Sequence, residues 1–181
     1  MATTRALLRE YFAPLATVPC WNATAEFGSW LSFRFGEPHL EIREGNPDSK
    51  LKSLRRRAVF VEGEFFLWVE MGAWQLFESG KLLFHSEQAR KYLRRAAGHL
   101  DSQKLSRVEL ATDPTRTVFA FENGSELRVC PTMDSEPDEP LWHVYGAGKC
   151  LSLLADGTFE HGASQSQRPH RTTARAAVHV A

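Results

Sequence analysis

The chain has 181 residues and no run of 18 consecutive apolar ones, so it lacks the sequence signal of a membrane-spanning helix. It also has no surplus of either charge: Lys+Arg and Asp+Glu number 22 each, and the net charge is zero. Nucleic-acid binders ordinarily carry a basic excess that displaces counterions from phosphates, so nucleic acid is not an expected partner, nor is a membrane. Cysteine is scarce. Cys20, Cys130 and Cys150 are widely spaced and no CxxC occurs, which excludes a local zinc knuckle or dithiol motif. Dispersed thiols suit a reducing compartment, and Arg5, Arg9 and Glu10 interrupt any apolar signal core near the N-terminus. A cytoplasmic location is expected.

Catalytic signatures are missing too. There is no GxSxG elbow, no HExxH and no glycine-rich dinucleotide fingerprint. The segment Gly146-Ala147-Gly148-Lys149-Cys150 is superficially like a phosphate loop. His143 stands where its first glycine belongs, however, and Cys150 replaces the magnesium-binding Ser or Thr. An extended run follows instead of a helix N-terminus. The seven histidines are scattered. His143 could meet a carboxylate such as Glu70 and move protons, but nothing in the spacing requires it. The expectation is a protein that is not an enzyme, with no catalytic residue, no cofactor and no metal.

What is present is material for a core: 43% hydrophobic and 11% aromatic residues. A single domain of this length buries roughly 70% of the surface its unfolded chain exposes. Two segments share a pattern, LWVEMGAWQLF from Leu67 to Phe77 and LWHVYGAGKCLSL from Leu141 to Leu153. Each follows a segment with hairpin grammar, FRFGEPHLEI from Phe33 and FAFENGSELRV from Phe119. This reads as an internal duplication, with copies over about 30–84 and 105–161. Trp68 and Trp142 are then expected as equivalent core anchors, and Gly72 as a bulge or bend.

The period-2 alternation of Leu31, Phe33 and Phe35, and of Leu40 and Ile42, predicts strands joined by a turn at Gly36-Glu37-Pro38. Val18 to Gly28 reads as a loop anchored by Trp21 and Phe27. Asn123-Gly124 is a strong hairpin signal, and Asp156-Gly157 supplies a late turn. Ser86 is a candidate N-cap for a helix ending at Gly98, whose apolar stripe is Ala89, Leu93, Ala96 and Leu100. A shorter helix is expected after Thr3 or Thr4. The fold class is α+β: an antiparallel sheet or incomplete barrel from two β halves, with one helix packed on it and a short N-terminal helix. Residues 1–161 form the domain, and 162–181 read as a disordered tail.

The two halves differ most in their charged loops. The first carries Lys50, Lys52, Arg55, Arg56 and Arg57; the second carries Asp134, Glu136, Asp138 and Glu139. Surface loops tolerate such divergence and often carry function. Asp134, Glu136, Asp138, Glu139, Arg55, Arg56 and Arg57 are therefore the candidate contacts to another protein. A homodimer through a sheet edge and a small-ligand or hydrolytic barrel using His143 are the alternatives.

The strings WLSFRFGEPHLEIRE, VEGEFFLWVEMGAWQLF, TVFAFENGSELRV and EPLWHVYG through LLADGTF occur in that order. Over residues 25 to 161 the chain resembles a bacterial family of small proteins with no settled activity. Its second half is also similar to small α+β domains, some thought to be immunity proteins of toxin systems. The leading expectation for function is a non-enzymatic, immunity-like binding protein that masks a partner through an acidic or aromatic surface. Pro140 before Leu141-Trp142 departs from the family, which favours Glu directly before Trp.

Overall fold

The computed structural model describes residues 4–163. Helix α1 (Thr4–Phe12) comes first, and Pro14 opens a single 3-10 turn at Leu15–Thr17. Six antiparallel strands then form the larger sheet: β1 (Cys20–Ala25), β2 (Leu31–Phe35), β5 (Phe65–Val69), β11 (Pro140–Gly146), β12 (Lys149–Leu154) and β13 (Phe159–Ala163), in that spatial order. A second, five-stranded sheet runs β7 (Lys81–His85), β6 (Ala73–Glu78), β10 (Ser125–Cys130), β9 (Thr117–Phe121) and β8 (Leu105–Leu110). Helix α2 (Arg90–Leu100) lies between β7 and β8 in sequence. The remaining pair, β3 (His39–Arg43) and β4 (Ala58–Glu62), is a separate two-stranded ribbon. The class is α+β, and among the described residues no closed barrel forms.

Residues from the inner faces of both large sheets enter one core cluster, together with Leu8, Phe12 and Leu15 at the N-terminus. Trp142 is fully buried in it, with rings of Phe12 at 5.6 Å and Phe119 at 5.8 Å in edge-on contact. Such pairs add about 0.5–1.5 kcal/mol each beyond area burial. The Trp142 indole N–H donates to Thr117 Oγ1 at 2.8 Å, so the buried ring leaves no orphaned donor. Leu93, Ala96, Ala97 and Leu100 of α2 join the same cluster, as the 3- and 4-residue spacing requires.

Several expectations are corrected. The Gly36 turn does not close a hairpin between its flanking strands: β2 pairs with β1 and β5, while β3 pairs with β4. Two hairpin-like runs in sequence thus belong to different sheets. Val18–Gly28 is not a loop, since Cys20–Ala25 is an edge strand. Phe27 is no anchor; it is 73% exposed and touches Trp30 edge-on. Ser86 does not cap α2. Its Oγ accepts from the Trp74 backbone N–H, and the helix starts four residues later with Ala89 at the N-cap position. Gly98 lies inside the helix, which ends at Leu100.

Trp68 and Trp142 are not equivalent. In the β5–β11 register Trp68 pairs with His143 and Trp142 with Val69, so the two indoles point to opposite faces of one sheet. Trp142 enters the core. Trp68 stands on the outer face, between Trp30 at 5.3 Å and His143 at 5.7 Å. Gly72 is a bend, carrying the chain from β5 in one sheet to β6 in the other, where a Cβ would sit 2.7 Å from Val129 Cγ1. Strand β13 runs through Ala163; the rest of the expected tail, 164–181, lies outside the described residues.

Candidate functional site

The outer face of the six-stranded sheet carries a polar cluster around His143. Alternation along β11 sends His143 and Tyr145 outward, and the registers place Trp68 and Phe66 on one side and Ser152 and Cys150 on the other. His143 Nδ1 lies 2.6 Å from Ser152 Oγ, and its Nε2 lies 3.1 Å from Glu70 Oε2. The imidazole thus bridges a carboxylate and a hydroxyl, the connectivity that can activate a serine. Cys150 Sγ is 3.7 Å from the same hydroxyl.

Burial depresses the His143 pKa, but interactions with Cys150 and Glu70 together outweigh it, and the net shift is upward. The Tyr145 phenol is pushed strongly up, first by burial and then by Cys150 and Glu70. The hydroxyl side of the cluster is closed, while Cys150 keeps partial exposure. Ser152 is 6% exposed and Tyr145 equally so. His143 lines neither the 100 Å³ cleft beside Tyr11 and Tyr145 nor the 690 Å³ groove between α1 and β8. A serine nucleophile needs a path for its substrate, and Ser152 lies mid-strand between β11 and β13. The hydrogen-bond chain links Glu70, just past the end of β5, to β11 and β12. Among the described residues no group of three or more His, Cys, Asp or Glu has a metal-holding arrangement.

The β3–β4 ribbon presents different chemistry. Its registers pair Leu40 with Val61 and Ile42 with Val59, which puts four aliphatic side chains on one face. They are 68%, 49%, 59% and 56% exposed, respectively. Leu51 and Leu54, in the connecting loop, are half exposed as well. The opposite face is occupied: the Arg43 guanidinium lies 4.7 Å from the Phe60 ring centre and its Nε bonds Glu41 at 2.7 Å. The ribbon therefore has one finished face and one open apolar face.

Its root is fixed firmly. Glu62, the last residue of β4, is 1% exposed and accepts from Arg34 Nε at 2.9 Å; Arg34 is 4% exposed and lies over the Phe66 ring. Gly63 follows, where a Cβ would stand 2.5 Å from the Phe35 carbonyl oxygen, so only glycine lets the strands approach this closely. Gly36 turns with φ of 76°, in the left-handed region. A two-stranded ribbon is marginal alone; here a buried ion pair and close backbone contact anchor it to the body.

The basic loop at Lys50–Arg57 is the tip of this ribbon. Arg57 Nε bonds Glu44 at 3.0 Å and Arg55 Nε bonds the Ser49 carbonyl. Lys50, Lys52, Arg55 and Arg56 form no ion pair among the described residues. The acidic loop leads into Pro140 at the other end of the sheet. There Thr132 and Ser135 bond each other, and Glu139 accepts from the Glu136 N–H. The two expected contact groups are thus not brought together. Phe35 pairs with Phe65 at the ribbon end, and Trp142 pairs with Val69 at the acidic end. Four residue steps along β5, from Phe65 to Val69, separate these strand ends, about 13 Å at the usual rise. Sequence reasoning missed Leu40, Ile42, Val59 and Val61, because alternation marks a shared face without saying what covers it.

Comparison with protein-family models, with curated proteins and with solved structures finds no match for this chain.

Proposed function

We propose that this protein is a non-enzymatic binding module that docks another polypeptide through the β3–β4 ribbon. The observation that carries this reading is the four-residue aliphatic face of Leu40, Ile42, Val59 and Val61, exposed on a ribbon that pairs with neither large sheet. Solvent-facing aliphatic clusters on a rigidly rooted element mark interaction surfaces. The flanking Lys50, Lys52, Arg55 and Arg56 add long-range attraction for an acidic partner, which accelerates encounter more than it strengthens the complex. An immunity-like role, masking an acidic partner, is one form this docking takes. The acidic loop Asp134–Glu139 is the second contact of the same molecule.

The test is photo-crosslinking in the native host. A photoreactive residue at position 42 should yield one defined adduct, and the same residue at exposed position 116 should not. Leu40→Thr, Val59→Thr and Val61→Thr together, which put strand-compatible β-branched side chains at all three positions, should abolish that adduct without lowering the melting temperature. Equal labelling from both positions would defeat the reading. The Glu70–His143–Ser152 chain supports a second reading, a hydrolase. A fluorophosphonate that modifies Ser152 would favour it; the docking account expects no modification.

A further inference from the structure

The open face of the ribbon needs an occupant, and the chain carries a complementary surface of its own. Near its tip the ribbon joins aliphatic side chains to cations without ion-pair partners. The loop between β10 and β11 joins the fully exposed Met133 to Asp134, Glu136, Asp138 and Glu139, which form no ion pair among the described residues either. Apolar-plus-cationic and apolar-plus-anionic surfaces therefore coexist on a chain of zero net charge. Within one molecule they form no ion pair among the described residues, and the ribbon is rooted at the end of β5 opposite the acidic loop.

We propose that the occupant is a second copy of this chain, related by a two-fold axis, with each ribbon lying against the Met133–Glu139 loop of the other copy. This rests on the docking reading above and names its partner. A two-fold arrangement uses the contact twice, so one modest patch produces an interface of double its area. The antiparallel alignment is the one that brings both basic tips to both acidic loops. A parallel alignment would set cation against cation. The rooted ribbon suits this role, since little conformational entropy is lost when a preorganised element docks. Met133 is an adaptable apolar side chain for a surface facing Leu and Ile.

The design predicts a charge-swap rescue. Purified full-length protein should sediment as a dimer at low salt and dissociate as salt rises, because the flanking charges are exposed. Lys50→Glu, Lys52→Glu and Arg56→Glu together should weaken dimerisation by about 100-fold or more, since like charges brought together cost several kcal/mol. Asp134→Lys, Glu136→Lys and Asp138→Lys should do the same. Mixing the two variants should restore a 1:1 heterodimer, and one chain carrying all six changes should dimerise with itself. All six positions lie in loops away from the core, and unchanged near-UV circular dichroism would verify each fold. Wild-type protein that stays monomeric at every accessible concentration would overturn the proposal, as would failure of the mixture to associate. If the wild type is monomeric while position 42 still crosslinks to a different protein in cells, the second-copy partner fails and the docking reading stands. If position 42 captures nothing, both fail.

Discussion

The root of the ribbon offers the sharpest test of the structural account. Arg34 and Glu62 are 4% and 1% exposed, and their 2.9 Å contact joins the middle of β2 to the end of β4. Replacing Arg34 with Met keeps most of the aliphatic stem but leaves the Glu62 carboxylate without this guanidinium in a nearly dry site. Removing one member of a buried pair costs about 3–5 kcal/mol, because the remaining charge keeps its desolvation penalty. Against a total of roughly 5–15 kcal/mol for a small domain, Arg34→Met should lower the urea midpoint severely. The double variant Arg34→Met with Glu62→Leu should recover most of the loss, since apolar replacement of both charges is often neutral. Urea unfolding followed by tryptophan fluorescence measures both. Hydrogen exchange of the β3 and β4 amides then asks whether the ribbon loosens before the sheets do. A loss below about 1 kcal/mol for Arg34→Met, the value of an exposed pair, would refute the reasoning.

Three further outcomes follow from the same geometry. Gly63→Ala should cost about 1–3 kcal/mol, because its Cβ would meet the Phe35 backbone at 2.5 Å and the strands must part; thermal melts measure it. The folded His143 pKa lies above its ordinary 6.5, so the stability it contributes is fully present below that value and fades as pH rises through the folded one. Unfolding free energies measured from about pH 6 upward should therefore decline in the wild type more steeply than in His143→Gln. Burial raises the Cys20 thiol to about 12, and its Sγ–H donates to the Leu100 carbonyl. A thiol reagent at neutral pH should modify Cys130 and Cys150 in the folded protein, and Cys20 only on unfolding.

Local chemistry was legible where one short-range signal settles the matter. Asn123-Gly124 closes β9 onto β10 with φ of 82° at the glycine, and Asp156-Gly157 joins β12 to β13. The α2 stripe is visible in its spacing. Long-range pairing was not legible. Leu31, Phe33 and Phe35 alternate with Ser32 and Arg34, which reads as a half-buried strand, yet all five are buried. Ser32 is covered through Thr24 and Glu26, and Arg34 through Glu62 and Phe66, partners up to 32 residues away in sequence. Leu40 and Ile42 alternate just as cleanly, yet face solvent, because β3 pairs only with β4. The shared Leu-Trp pattern located two adjacent strands of one sheet but gave their tryptophans one role, whereas the antiparallel register gives them two.

The central claim is that contact is made through the ribbon. Methyl NMR of the full chain, recorded before and after formation of the complex trapped from position 42, tests it most directly. Shifts confined to Leu40, Leu51, Leu54, Val59 and Val61, with Met133 joining them if the partner is a second copy, are the predicted result. Unmoved ribbon methyls with shifts centred on Leu151, Leu153 and Val144 would contradict it.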